Sequence, residues 1–116
     1  GVVAPFFIRP ASVERLQGVE TVLAEHKFDL VLYNVETKER RDELFETLPR
    51  GDAFDGLLIF TLSPDDEAAK RLQNGRVPVV LVDAYHPLLS RVSIDDVQGG
   101  YMATWHLLDL GHERIA

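Results

Sequence analysis

Residues 55–83, DGLLIFTLSPDDEAAKRLQNGRVPVVLVD, decide the fold. Two short apolar runs, Leu57-Leu58-Ile59-Phe60 and Val79-Val80-Leu81-Val82, bracket a polar stretch that carries helix signals. A strand covered on one face alternates apolar and polar residues, whereas an unbroken apolar run needs cover on both faces, as in a parallel sheet held between helices. Between the runs, Ser63-Pro64-Asp65-Asp66 reads as a helix start. Ser63 is expected to cap, Pro64 to fill the first helical position, and the two acids to sit at the positive end of the helix dipole. Asn74-Gly75 closes that helix and Pro78 precedes the next strand, which ends at Asp83. The unit is β-α-β, and strand twist makes its crossover right-handed.

The same alternation extends in both directions. Toward the amino end, Val2-Val3-Ala4 reads as a buried strand stopped by Pro5. Ser12 is expected to cap a first helix whose buried stripe is Val13, Leu16, Val19, Val22 and Leu23. Leu30 to Tyr33 follow as a strand, Lys38 to Leu48 as a mostly polar helix, and Pro49-Arg50-Gly51-Asp52 as a turn. Toward the carboxyl end, a short strand is expected at Val92-Ser93-Ile94 and a helix over Val97 to Leu110 that Gly111 stops. Ile115-Ala116 begins a further strand. The expected architecture is α/β: a doubly wound parallel sheet in a three-layer α/β/α sandwich, with all 116 residues in one domain or a piece of one.

Composition removes several functions. The net charge is −7, and the basic knot Lys38, Arg40 and Arg41 is interleaved with Glu36, Glu39, Asp42 and Glu43. That stretch reads as a solvated helix face, so this segment is not expected to hold DNA by itself. Cysteine is absent, which excludes disulfides and thiolate metal sites and suits a reducing compartment. No apolar run is long enough to span a membrane, and no secretory signal is visible, although a chain beginning at Gly1 leaves room for a removed leader.

Doubly wound sheets bind ligands beyond the carboxyl ends of their strands. After the first strand stands Ala4-Pro5-Phe6-Phe7 rather than a glycine-rich phosphate cradle, so nucleotide binding is not expected. Val3, Ala4 and Pro5 also cannot supply the acids of a phospho-acceptor site. His26, His86, His106 and His112 lack paired metal-ligand spacing, and Ser63 is explained by capping. No metal site, cofactor or catalytic constellation is expected. Asp95-Asp96 ends a strand and begins a helix, a position open either to capping or to ligand contact.

The stretch Val77 to Ala116, VPVVLVDAYHPLLSRVSIDDVQGGYMATWHLLDLGHERIA, resembles the lactose-repressor (LacI/GalR) family. The resemblance lies in the order and spacing of an apolar strand ending in Asp83, the turn Ser93-Ile94-Asp95-Asp96, the glycines Gly99-Gly100, and the closing Gly111-His112-Glu113-Arg114-Ile115-Ala116. Asp55-Gly56-Leu57-Leu58-Ile59 and Gly18-Val19-Glu20 are similar to further family segments, so the likeness runs through essentially the whole chain.

The resemblance implies the amino-terminal half, residues 1–116, of a periplasmic-binding-protein-like type I effector-binding core. It also implies a helix-turn-helix headpiece before Gly1 and a second subdomain after Ala116, both absent from this sequence. The implied function is allosteric and non-enzymatic: a small polar metabolite such as a sugar binds between subdomains of a cytoplasmic homodimer and changes its grip on operator DNA. The alternatives are an extracytoplasmic solute receptor serving a transporter and, behind it, a small α/β enzyme.

The expected half-cleft gathers Phe6, Arg9, Ser12, Ser63, Asp83 and Asp95. Where the family commonly carries Asn-Pro-Phe-Phe, this chain has Arg9-Pro10-Ala11-Ser12, which removes a pair of stacking rings. Phe6 and Phe7 either substitute for them or pack in the core. Arg9 either meets an anionic group or is a solvated loop charge. His112 and Arg114 are expected to tie the last helix to the sheet.

Overall fold

The computed structural model describes residues 1–5 and 10–115. Five strands form one parallel sheet: β1 (Val2–Ala4), β2 (Leu32–Asn34), β3 (Leu57–Phe60), β4 (Val79–Val82) and β5 (Ser90–Val92). Their spatial order is β2-β1-β3-β4-β5, so the chain winds one way from β1 to β2 and the other way from β3 onward. The central pairing aligns Leu57 with Val79 and Phe60 with Val82, as their unbroken apolar runs required.

Two apolar layers sandwich the sheet. On one face Leu57, Ile59, Val79 and Leu81 pack with Leu44 and Phe45 of α2 (Lys38–Thr47) and Leu72 of α3 (Asp66–Asn74). On the other, Val2, Ala4 and Phe60 meet Leu16 and Val19 of α1 (Pro10–Glu25). Polar α2 still anchors itself because Leu44 and Phe45 share its inner face and Thr37 Oγ1 caps it by accepting from the Arg40 amide.

Several boundaries differ from expectation. Asp65, not Ser63, caps α3, accepting from the Ala68 amide at 2.8 Å. Ser12 lies in the first turn of α1 rather than ahead of it. Of the expected α1 stripe, Leu16, Val19 and Leu23 are half-buried while Val13 and Val22 are exposed. The turn after α2 is a 3-10 helix, Leu48–Arg50. The edge strands β2 and β5 are each shifted from the expected span by one or two residues.

The larger departure is α4 (Asp96–Asp109). It begins where the capping alternative placed it, with Asp95 accepting from the Gln98 amide, and none of its residues is buried. Tyr101, Met102, Trp105 and Leu108 are all at least half exposed, so α4 stands off the sandwich instead of covering the sheet. The radius of gyration, 17.3 Å, exceeds the roughly 13 Å expected of a compact chain this long. Gly111 ends α4 as expected: at φ +85° its amide bonds to Leu108 O, and the next amide, of His112, bonds to Leu107 O. The side chains of His112 and Arg114 make no hydrogen bond or ion pair with the other described residues, whereas the His112 amide bonds to Leu107 O at the end of α4.

Candidate functional site

All five strands are parallel, so their carboxyl ends share one edge. The reversal in strand order falls between β1 and β3, and the crevice at such a reversal is where open α/β sheets take ligands. Thr61 to Ser63 follow β3 and Asp83 to His86 follow β4, beside that crevice. Phe6 and Arg9, which would form its β1 side, lie outside the described residues.

The backbone at this edge is unusual. Thr61 and Asp83 each stand one residue past a strand, and each has φ of +54°. Both still hold the ladder, with the Thr61 amide donating to Val82 O at 2.9 Å and the Asp83 amide to Val92 O at 2.8 Å. Aspartate tolerates the left-handed region better than most residues, whereas a β-branched threonine there is strained by about 1–3 kcal/mol.

Side chains then fix the loops. Arg15, from the second turn of α1, donates from Nη2 to Asp83 Oδ2 at 2.6 Å. Ser63 Oγ accepts from the Tyr85 amide at 3.2 Å, tying the β3 loop to the β4 loop. His86, only 7% exposed, accepts from the Leu88 amide at Nδ1, which leaves Nε2–H to donate to Asp66 Oδ1 at 3.1 Å. That pairing makes the ring a structural link between the β4 loop and α3. Tyr85 stays largely exposed, with the Arg91 guanidinium 4.2 Å from its ring centre, a cation–π contact in the loop after β4.

Of the expected site residues, Ser63 and Asp83 are brought to neighbouring loops on this edge. Ser12 is 7% exposed and is covered in the first turn of α1. Asp95 is at the amino end of α4 and uses Oδ1 to cap it. Sequence reasoning missed Arg15, because a pair separated by 68 positions leaves no local pattern to find; Tyr85 falls in the loop expected at this edge but was not singled out. Among the described residues no group of acids and histidines is arranged to hold a metal ion. A cavity of about 790 Å³ lies at the opposite edge, between the carboxyl end of α1 and the amino ends of β1, β3 and β4. Its walls are mainly apolar, including Val19, Leu23, Phe28 and Val80, and it includes none of the groups just described.

A parallel sheet of order 2-1-3-4-5 with polar groups gathered beside its reversal defines an open α/β ligand-binding domain. More narrowly, the chain belongs to the family of periplasmic binding proteins and sugar-binding domains of the LacI family, whose model matches residues 1–116. It is 30% identical over 107 residues to the arabinose metabolism transcriptional repressor of Halalkalibacterium halodurans, covering 86% of this chain and 28% of that protein. It is 32% identical over 114 residues to the HTH-type transcriptional regulator CelR of Thermobifida fusca, covering 95% and 33%. Among solved structures, a transcriptional regulator CelR–cellobiose complex superposes with a TM-score of 0.78 at 30% identity, over 99% of this chain and 38% of the other. Transcription regulator CcpA of Lactococcus lactis gives 0.78 at 26% identity, over 99% and 44%. The chain thus spans about a third of the length of these curated relatives.

Proposed function

We propose that residues 1–116 form the amino-terminal subdomain of the effector-binding core of a DNA-binding transcriptional repressor that responds to a sugar or similar small polar metabolite. The observation that carries this reading is the pairing of family membership over the whole chain with a polar edge at the strand-order reversal. That edge offers Asp83, Ser63 and the Thr61 backbone turn beside the Tyr85 ring, which suits hydroxyl-bearing ligands. The relatives are named as transcriptional regulators, which supports sensing rather than catalysis.

In this reading a second subdomain supplies the other wall of the cleft and covers the apolar face of α4, where Tyr101 and Trp105 stack with ring centres 6.3 Å apart. The exposed Val13 and Val22 of α1, with Phe28 and Val31 ahead of β2 and Leu32 at its start, form the surface on which a homodimer is built. DNA contact belongs to a headpiece outside these residues, and a regulator of this kind acts in the cytoplasm, where its DNA is. The test is a mobility-shift assay of the intact protein on its own upstream DNA, with and without a panel of mono- and disaccharides headed by cellobiose. A discrete complex whose midpoint moves with one sugar supports the reading. A complex indifferent to every sugar, or no complex at all, contradicts it.

A further inference from the structure

We propose that Arg15 is a positioning residue for the effector site, acting through Asp83; the proposal rests on the effector-sensing reading above. Asp83 is held at its backbone by the amide bond to Val92 O and by its left-handed turn, so the main freedom left to its carboxylate is side-chain rotation. Arg15 removes that freedom. The pair is 2.6 Å apart with side chains 27% and 30% exposed, a geometry too enclosed to be one of the fully solvated pairs that contribute nothing.

Arg15 engages Oδ2, and among the described residues no other side chain donates to Asp83, so Oδ1 remains to accept from a ligand hydroxyl at the sheet edge. The arginine is itself neutralised by that contact, which argues against its serving as a direct anion site. Its place on α1 matters as well. Arg15 joins the helix that follows β1 to the end of β4, across the crevice where the strand order reverses. A ligand that draws on Asp83 therefore meets a carboxylate already oriented, and less ordering entropy is lost on binding.

The test is a double-variant cycle in the intact protein, read by calorimetric titration with the sugar of the panel that binds wild type most tightly. Arg15→Gln keeps helix propensity, and Asp83→Asn keeps tolerance of the left-handed turn. Each single variant is expected to lose about tenfold in affinity, and the double variant to be no weaker than Asp83→Asn alone, since coupled residues are not additive. Arg15→Lys is expected to recover most of the loss. Should Arg15→Gln fail to fold, Arg15→Met, which keeps the apolar stem, replaces it in the cycle. A folded Arg15 variant with wild-type affinity overturns the proposal, as does a further tenfold loss on adding Arg15→Gln to Asp83→Asn, which would make Arg15 a direct ligand contact. If wild type binds no sugar of the panel, the effector-sensing reading fails and this inference falls with it; in the other two cases only the inference falls.

Discussion

Thr61 and Asp83 occupy equivalent positions one residue beyond neighbouring strands, and both turn the chain there with φ of +54° while donating to the next strand. The shared turn aims two successive loops across the same edge of the sheet. For Asp83 the conformation is tolerable; for Thr61 it is strained, and strain of this kind gathers at ligand sites.

Replacing Thr61 by Asn, which accepts the left-handed region more readily, is expected to raise stability by about 0.5–1 kcal/mol. Urea titration of the two proteins measures it. A loss of stability would mean that the threonine side chain contributes more than its backbone costs.

Asp65 caps α3, and its bond from the Ala68 amide, aided by the charges of Arg41 and Arg71, holds its carboxyl below the ordinary aspartate value of 3.8. Because the folded protein depresses this value, the cap stabilises fully above 3.8 and its contribution is lost as pH falls through the folded value. Asp65→Asn is expected to flatten that part of the acid limb, because asparagine caps without titrating. Thermal melts between about pH 5 and pH 2 compare the two. An unchanged acid limb would remove Asp65 from the account.

Gly75 is expected to resist substitution for reasons of space. A Cβ there would lie 2.6 Å from Pro49 Cβ and 2.8 Å from Pro49 O, where the Arg76 amide already bonds. Gly75→Ala should therefore destabilise by about 1–3 kcal/mol, the usual range for overpacking. Denaturant titration checks the value, and a neutral result would show that the 3-10 turn at Pro49 yields easily.

The sequence announced the middle of the sheet far better than its margins. Leu57–Phe60 and Val79–Val82 are covered on both faces, so their runs are apolar throughout and their limits were read correctly. Residues of β5 are all exposed and those of β2 nearly so, which dilutes the apolar signal and moved both boundaries. The α3 start was misplaced because Ser63-Pro64-Asp65-Asp66 holds two capping residues, and Ser63 is instead engaged by the Tyr85 amide. Periodicity also foretold a helix at α4 without telling what it packs on. An apolar face promises a partner, and no described residue of this segment supplies one. Within the site, Asp83 was legible as a strand-end acid, whereas Arg15 was not, because only folding brings it to Asp83.

Trp105, the single tryptophan of the sequence, tests the proposed second subdomain. It is 60% exposed on α4 here. In the intact protein its emission is expected to shift to shorter wavelength and its quenching by acrylamide to fall, relative to the 116-residue segment. Identical spectra would leave the α4 face uncovered and count against a second subdomain seated on it.

Calorimetric titration of the intact protein with the sugar panel, on wild type and on Asp83→Asn, tests the site itself. The account predicts saturable binding of one sugar to wild type and a loss of about tenfold or more, roughly 1.4 kcal/mol, when Asp83 becomes Asn with folding unchanged. Undiminished affinity in a well-folded Asp83→Asn protein would contradict it, and would move the effector site away from the carboxyl edge of β4.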